Sequence, residues 1–204
     1  MTKIAGVIFA GGKARRLEGV DKATLMIGKQ SCFDRVSRCL LRRVGQLAIS
    51  LPFDQIDHAA LTYNKGYKYP IAPDWPSREA NPAVAYAVLG SLAWAAEEGY
   101  NAVVTSPVDT PFLMDDYAEH LIASVACGQS AVYKVGTELH GLHALWSVAD
   151  FEALKHMILN EQILKISKLH DGISSKKIAV SENEFRHFWN INTPDALEAA
   201  QKRV

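Results

Sequence analysis

The stretch IAGVIFAGGKARRLEGVDK, residues Ile4 to Lys22, decides the fold. Its first part, Ile4 to Ala10, is a short apolar run of the kind that forms a strand buried on both faces. The run passes straight into Gly11 and Gly12. A loop follows that carries four basic side chains, Lys13, Arg15, Arg16 and Lys22, against two acidic ones, Glu18 and Asp21. Glycines let backbone N–H groups approach a phosphate chain closely, and a local excess of positive charge holds a polyanion there. The loop is not a Walker A motif, because GK[ST] is absent, and the GxGxxG spacing of a dinucleotide fingerprint fails. The bland alternative is a solvated turn whose basic residues do nothing.

Outward from this loop, short β-type runs alternate with longer helical patterns. The periodicity predicts a helix over Phe33 to Leu41 and a second strand over Leu47 to Leu51. A third strand is expected over Tyr69 to Ala72, stopped by Pro73 just before Asp74. A buried helix then covers about Ala83 to Glu98. Ala102 to Thr105 is a β-branched core strand that ends in SPVDTPF, residues 106–112, where Pro107 and Pro111 bracket a rigid turn. Further on, Tyr117 to Val125 reads as helix, and Ala131 to Val135 with Leu142 to Trp146 as paired strands. Asp150 is expected to N-cap a helix through Ile158. Ile178 to Val180 and Phe188 to Ile191 read as short strands, and Thr193 with Pro194 starts a last helix to Lys202. The expected fold class is α/β: a Rossmann-like, mostly parallel sheet with helices on both faces. No repeat or linker interrupts the chain, so residues 1–204 are expected to form one domain.

Composition narrows the function classes. The 204 residues are 49% hydrophobic and 22% charged, which excludes disorder. With 22 basic and 22 acidic side chains there is no global field to attract nucleic acid or an anionic membrane, so neither is an expected partner. Cys32, Cys39 and Cys127 are an odd number without CxxC spacing and fit a reducing compartment. Cys32 and Cys39, seven apart, share a helix face as buried free thiols. The start of the chain lacks the features of a signal peptide. The longest uncharged run, Ala80 to Ala96, contains Pro82 and Gly90 and falls short of the roughly 20 apolar residues that a bilayer span needs. The expected location is the cytoplasm.

Two further features carry chemistry. Asp109 stands directly past the carboxyl end of a buried strand, where open α/β sheets bind ligands. A carboxylate fixed there suits Mg²⁺, which takes one or two protein carboxylates together with substrate phosphate oxygens. The alternative is an Asp that only closes a turn. Asp74 sits similarly and could bond a sugar or base edge. Near the end of the chain, Asn190 and Asn192 are spaced by two beside Phe188 and Trp189. In a strand both amides would face one side and could bond a heterocycle, although Asn192 could equally cap a helix. His140 and His143 lack partners at metal-ligand spacing and read as solvent-facing or hydrogen-bonded.

These residues resemble a known family. Gly6 through Leu17, with Val20-Asp21-Lys22, is similar to the nucleotide loop of molybdenum cofactor guanylyltransferases, MobA-like nucleotidyltransferases in which LAGG is followed by a basic stretch and a DK pair. Ser106 to Phe112 resembles that family's PxDxP metal turn, and Asn190-Ile191-Asn192-Thr193-Pro194-Asp195 its NxNTP motif. The matches keep the family's order and reach from one end of the chain to the other.

The resemblance implies a nucleotidyltransferase fold of the nucleotide-diphospho-sugar transferase type. It also implies transfer of GMP from Mg-GTP to the terminal phosphate of molybdopterin, the organic part of the molybdenum cofactor, with release of pyrophosphate. Phe9, Ala10, Gly11, Gly12 and Asp74 would contact the nucleotide. Lys22 and Arg16 would counter phosphate charge, Asp109 would hold Mg²⁺, and Asn190 and Asn192 would face the pterin. Keeping both Gly11 and Gly12, LAGG rather than LAAG, favours GTP over CTP. Molybdoenzymes or cofactor-delivery proteins are the implied protein partners.

The chain departs from the family at Asn81-Pro82-Ala83-Val84-Ala85, where GPLAG is usual. It also reads Ser50-Leu51-Pro52 in place of an asparagine-containing turn, and His140-Gly141 in place of an HP pair. Transfer from CTP or to another phosphorylated acceptor, and a non-catalytic nucleotide-binding relative, are the alternatives.

Overall fold

A computed structural model of the chain describes residues 2–11, 21–52, 55, 69–77 and 83–203. In chain order the strands are β1 (Ile4–Phe9), β2 (Met26–Ile27), β3 (Gln30–Ser31), β4 (Leu47–Leu51), β5 (Ile71–Pro73), β6 (Ala102–Pro107), β7 (Ala131–Val135), β8 (Glu138–Ser147) and β9 (Lys176–Val180). The helices are α1 (Cys32–Leu41), α2 (Val84–Glu97), α3 (Tyr117–Ala123), α4 (Phe151–Leu159), α5 (Ile166–Gly172) and α6 (Pro194–Gln201). The main sheet has the order β5-β4-β1-β6-β8-β7-β9, and β2 with β3 forms a separate hairpin.

Strands β5, β4, β1 and β6 run parallel, β8 is antiparallel to both β6 and β7, and β9 returns parallel to β7. The chain leaves β1 in one direction to β4 and β5, then comes back to lay β6 on the other side of β1. The carboxyl ends of β1 and β6 therefore flank a topological switch point, where connections part and leave a crevice.

Alternation along β1 sends Ile8 to one core and Ala5, Val7 and Phe9 to the other. The first core packs α1 and α3 on the sheet through Val36, Leu40, Tyr117 and Leu121, and the second packs α2, α4 and α5 through Leu89, Leu92, Leu154 and Leu169. Helix α1 forms where the pattern required, opened by a capping box. The Ser31 hydroxyl accepts from the Asp34 N–H at 3.0 Å, and the Asp34 carboxylate accepts from the Ser31 N–H at 3.2 Å. Cys32 and Cys39 lie on its buried side, and burial pushes the Cys32 thiol up to about 12. Helix α2 is buried from Ala85 to Leu92 because it lies between the sheet and α4. That position explains the uncharged run. Among the described residues no helix is long and apolar enough to cross a membrane.

Several expectations need correction. Pro73 belongs to β5 rather than stopping it. The strand is at the sheet edge, where a missing N–H removes no ladder bond. Residues expected as strand β6 continue through Ser106 and Pro107, paired with Ile8 and Phe9. Helix α3 ends at Ala123 rather than Val125, and β8 begins at Glu138, earlier than Leu142. Asp150 does not cap α4 with its side chain, which accepts from the Ser130 hydroxyl at 2.6 Å. No strand covers Phe188 to Ile191. Glu182–Phe188 is a 3₁₀ helix, and the Ile191 N–H donates to the Asp109 carbonyl at 2.9 Å instead of to a strand. Helix α5 and the β2–β3 hairpin are too short to leave a periodic signal.

Two histidines are locked inside. His143 lies 3.3 Å from the Tyr117 hydroxyl, and burial pushes it down to about 3 from 6.5. His170 donates through Nε2 to the Gly141 carbonyl at 2.8 Å, with its Nδ1 2.9 Å from the Ser175 hydroxyl. Burial lowers it to about 4. Both stay neutral in the folded chain where an unfolded chain, with imidazoles near 6.5, takes up protons. Stability should therefore fall as pH drops through 6.5, with this contribution levelling off only near the folded values. The expected loss between about pH 7 and pH 5 is about 2 kcal/mol for each histidine. Urea unfolding across that range checks it. His170→Gln, which cannot titrate, should flatten the profile by about half; a profile unchanged by the substitution contradicts the assignment.

Candidate functional site

At the switch point the main chain is fixed before any side chain acts. The Val108 N–H donates to the Phe9 carbonyl at 3.1 Å, and the Ala10 N–H to the Ser50 carbonyl at 3.2 Å. The turn after β6 is stiffened by more than its prolines. Buried Ser106 and Thr110 both donate hydroxyl hydrogen bonds of 3.0 Å to the Pro107 carbonyl. Asp109 is held at the top of this turn with its side chain 13% exposed. One carboxylate oxygen, Oδ2, accepts from Lys22 Nζ at 2.7 Å. The other, Oδ1, is buried and has no hydrogen-bond partner.

Lys22 reaches that position because Asp21 starts a 3₁₀ turn, Lys22–Thr24, by accepting from the Ala23 N–H at 3.0 Å. The ammonium also donates to Asn192 Oδ1. Asn192 does not cap α6: that is done by Thr193, whose hydroxyl accepts from the Ala196 N–H at 3.2 Å, with Pro194 next. Phe112 of the Asp109 turn and Trp189 stack with centroids 6.3 Å apart, and the Arg203 guanidinium lies 4.8 Å from the Trp189 ring and 5.3 Å from the Phe112 ring. A small apolar cluster of Leu25, Ile27, Cys32, Ile191 and Ala200 packs beneath. Thus Lys22, Asp109 and Asn192, each from a different motif, meet at one ammonium. Asn190 and Asn192 are both exposed, but no strand fixes them to one face.

The third wall is built on the exit of β4. The Ser50 hydroxyl donates to Asp74 Oδ1 at 2.9 Å, and the Asp74 N–H donates to the Leu51 carbonyl at 3.0 Å. Helix α2 comes unusually close here: a Cβ on Gly90 would stand 2.1 Å from the Pro73 carbonyl oxygen and 2.9 Å from the Asp74 carbonyl carbon. Glycine at 90 is what lets this helix support Asp74. On the other side a Cβ on Gly11 would meet the Pro52 ring at 2.7 Å. Phe9 and Ala10 are buried, and Gly11 is exposed at the crevice. Gly12 and Arg16 lie outside the described residues, as do Asn81 and Pro82, while Ala83 precedes α2 and Ala85 is buried.

Sequence reasoning missed Ser50 and Gly90 as supports of Asp74. A serine ending an apolar strand and a glycine inside an apolar helix were the signals present. An open cavity of about 580 Å³ lies at the opposite, amino end of the strands, lined in part by Lys3, Arg43, Glu98 and Tyr100, remote from all three motifs. Among the described residues no group of three or more His, Cys, Asp or Glu could hold a metal ion.

Comparison with known proteins adds to this geometry. A family model for the MobA-like NTP transferase domain matches residues 6–173. The chain is 32% identical over 198 residues to the molybdenum cofactor guanylyltransferase of Acidiphilium cryptum, covering 97% of this chain and 94% of that one. It is also 32% identical over 201 residues to the enzyme of the same name from Cereibacter sphaeroides, covering 98% and 96%. Among solved structures, the molybdopterin-guanine dinucleotide biosynthesis protein A of Archaeoglobus fulgidus superposes with a TM-score of 0.72 at 19% identity, covering 98% of this chain and 97% of that one. A Mycobacterium tuberculosis protein crystallised in complex with manganese gives 0.67 at 16% identity, covering 98% of each chain. At these identities the structural likenesses establish the fold.

The Gly11–Pro52 contact is directly testable. Gly11→Ala should destabilise the chain by about 1–3 kcal/mol, the usual cost of an added methyl without space. Replacing Pro52 by Ala in the same chain should recover most of the loss, since the ring is the obstruction. Urea unfolding of the two single variants and the double variant measures the coupling, and strictly additive effects would contradict the contact.

Proposed function

The chain belongs to the MobA-like NTP transferase family, matched over residues 6–173, and from that premise we propose that it is a guanylyltransferase. In this reading it transfers GMP from Mg-GTP to the terminal phosphate of molybdopterin and releases pyrophosphate, with the whole chain acting as one nucleotidyltransferase domain. The observation that carries it is the meeting of Lys22, Asp109 and Asn192 at the carboxyl ends of β1 and β6. It supplies a fixed cation, a partly buried carboxylate and an amide at the place where open α/β sheets bind nucleotides.

The chemistry asks little covalent work of the protein. An oxygen of the acceptor phosphate attacks the α-phosphorus of GTP, one P–O bond forms, the bond to the β-phosphate oxygen breaks, and pyrophosphate leaves with the electron pair. Such a transfer is driven by positioning and charge neutralisation. The backbone N–H of Gly11, just past β1, meets the phosphates. Lys22 balances their charge. Asp74, held by Ser50 and by the backbone of Leu51, accepts from donors on the nucleoside. Asn190 and Asn192 present amides toward the acceptor, and Asn192 also keeps Lys22 turned into the site.

The donor set fits Mg²⁺. Asp109 Oδ1 is a buried acceptor that lacks a hydrogen-bond partner, and a single hard carboxylate oxygen plus substrate phosphate oxygens is a common Mg²⁺ environment. When bound, the ion would supply Lewis-acid neutralisation of the phosphates. Retention of the Gly11 backbone without a side chain supports GTP over CTP.

Calorimetric titration with GTP, CTP and ATP in Mg²⁺, followed by turnover with molybdopterin, tests the reading. GTP should bind preferentially. Asp109→Ala should keep the fold and lose about a thousandfold in turnover. Lys22→Ala should weaken GTP binding on the order of tenfold and leave an affinity less sensitive to salt, because one screened charge contact is gone. A CTP preference would favour a cytidylyl transfer, and GTP binding without turnover a non-catalytic relative.

A further inference from the structure

Among the described residues two buried side-chain polar atoms lack a hydrogen-bond partner, Asp109 Oδ1 and His140 Nε2. Buried polar groups are nearly always paired, so each such atom calls for a reason. The metal assignment accounts for the first. The second stands on the same rim of the sheet. Strand β8 is antiparallel to β6 with Ala144 opposite Thr105, so its opening residues from Glu138 overhang the carboxyl end of β6, where the chain turns into Asp109. His140 therefore borders the crevice from the side away from Asp74.

Its surroundings suit a planar ligand. The imidazole packs against Phe188 in a tilted arrangement at 4.9 Å between centroids, and Phe185, also tilted to it, lies 6.1 Å away. Phe188 leads through Trp189 to Asn190 and Asn192. Phe185 is 46% exposed, a large apolar ring left at the surface beside His140. The backbone beneath His140 is rigid. The Gly141 carbonyl accepts from His170 Nε2 at 2.8 Å, and a Cβ on Gly141 would come within 2.5 Å of Ile166, so α5 packs directly against the strand. His170 is itself stacked on Trp146 at 4.0 Å.

We propose that His140 and Phe185 form the acceptor-recognition wall: the acceptor's planar nitrogen heterocycle stacks against Phe185, and the His140 ring nitrogen hydrogen-bonds its polar edge opposite Asn190 and Asn192. This deepens the guanylyltransferase reading and rests on it. Nucleotide and metal are held by other elements, so the wall acts on the acceptor alone. A ligand that stacks and hydrogen-bonds in one plane is discriminated from a phosphorylated sugar, which offers no flat face.

Steady-state kinetics with GTP and molybdopterin separate the two claims. If wild-type protein does not guanylylate molybdopterin, the functional reading falls and this assignment with it. If it does, Phe185→Ser and His140→Phe should each raise the KM for molybdopterin on the order of tenfold, the scale of one lost hydrogen bond or stacked ring. The KM for GTP and the kcat at saturating acceptor should stay within about twofold. His140→Gln, which restores a hydrogen-bonding group, should recover part of the loss that His140→Phe retains. Phe185 is at the surface, so Phe185→Ser bears on the proposal even if the His140 variants fold poorly. An unchanged acceptor KM in Phe185→Ser, or equal changes in the KM for GTP and for acceptor, overturns it.

Discussion

A single ammonium joins segments that are remote in sequence. Lys22 donates to Asp109 and to Asn192, and through them the 3₁₀ turn Lys22–Thr24, the turn after β6 and the segment before α6 acquire fixed relative positions. As a contribution to stability this contact is small: partly exposed ion pairs are worth about 0–1 kcal/mol. The aromatic stack of Phe112 on Trp189 and the apolar cluster around Ile191 provide the hydrophobic part of the closure. What the ammonium contributes is a charge already in place. In the proposed reaction a polyphosphate would meet a cation that needs no reorganisation, and Asp109 keeps its second oxygen without a protein partner.

The position of this junction follows from connectivity. Because the chain departs β1 on one side and returns as β6 on the other, the main chains beyond Phe9 and Pro107 diverge, and the crevice between them is lined by backbone that the sheet has made rigid. Close approach then sets the walls. Gly90 carries the cost of about 1 kcal/mol that glycine brings to a helix interior, and in return α2 touches the backbone of Pro73 and Asp74. Gly11 lies equally close to Pro52. Each wall is defined by an absent side chain, so substitutions there act on geometry more than on chemistry.

The parts legible in the sequence are those encoded locally. The run from Ile4 into Gly11, the proline-bracketed Asp109, and Thr193 with Pro194 each carry their structure within a few residues, and all appear in the fold where the pattern placed them. Asn190 and Asn192 show the limit. Only Asn190 and Asn192, exposed on either side of buried Ile191, keep the expected spacing; Phe188 is buried against Tyr133, and the Ile191 N–H goes to the Asp109 carbonyl, so the segment is set by packing rather than by strand pairing. Ser50 on Asp74 and Lys22 on Asn192 are contacts across 24 and 170 positions, set by sheet order, and no window along the chain contains them. Gly12, Arg16 and Asn81-Pro82 fall outside the described residues.

The departures from the family pattern become intelligible when backbone and side-chain roles are separated. At Ser50-Leu51-Pro52 the groups that hold this wall of the crevice are two carbonyls, accepting from the N–H groups of Ala10 and Asp74. Any residue type supplies a carbonyl, so the wall survives a change of side chains, and the serine hydroxyl adds a further hold on Asp74. His140-Gly141 is different, because a missing Cβ admits Ile166 and His170 and fixes the direction of an imidazole. In the proposed reaction the nucleotide side therefore leans in part on backbone groups that any residue type supplies, and the acceptor side on particular side chains.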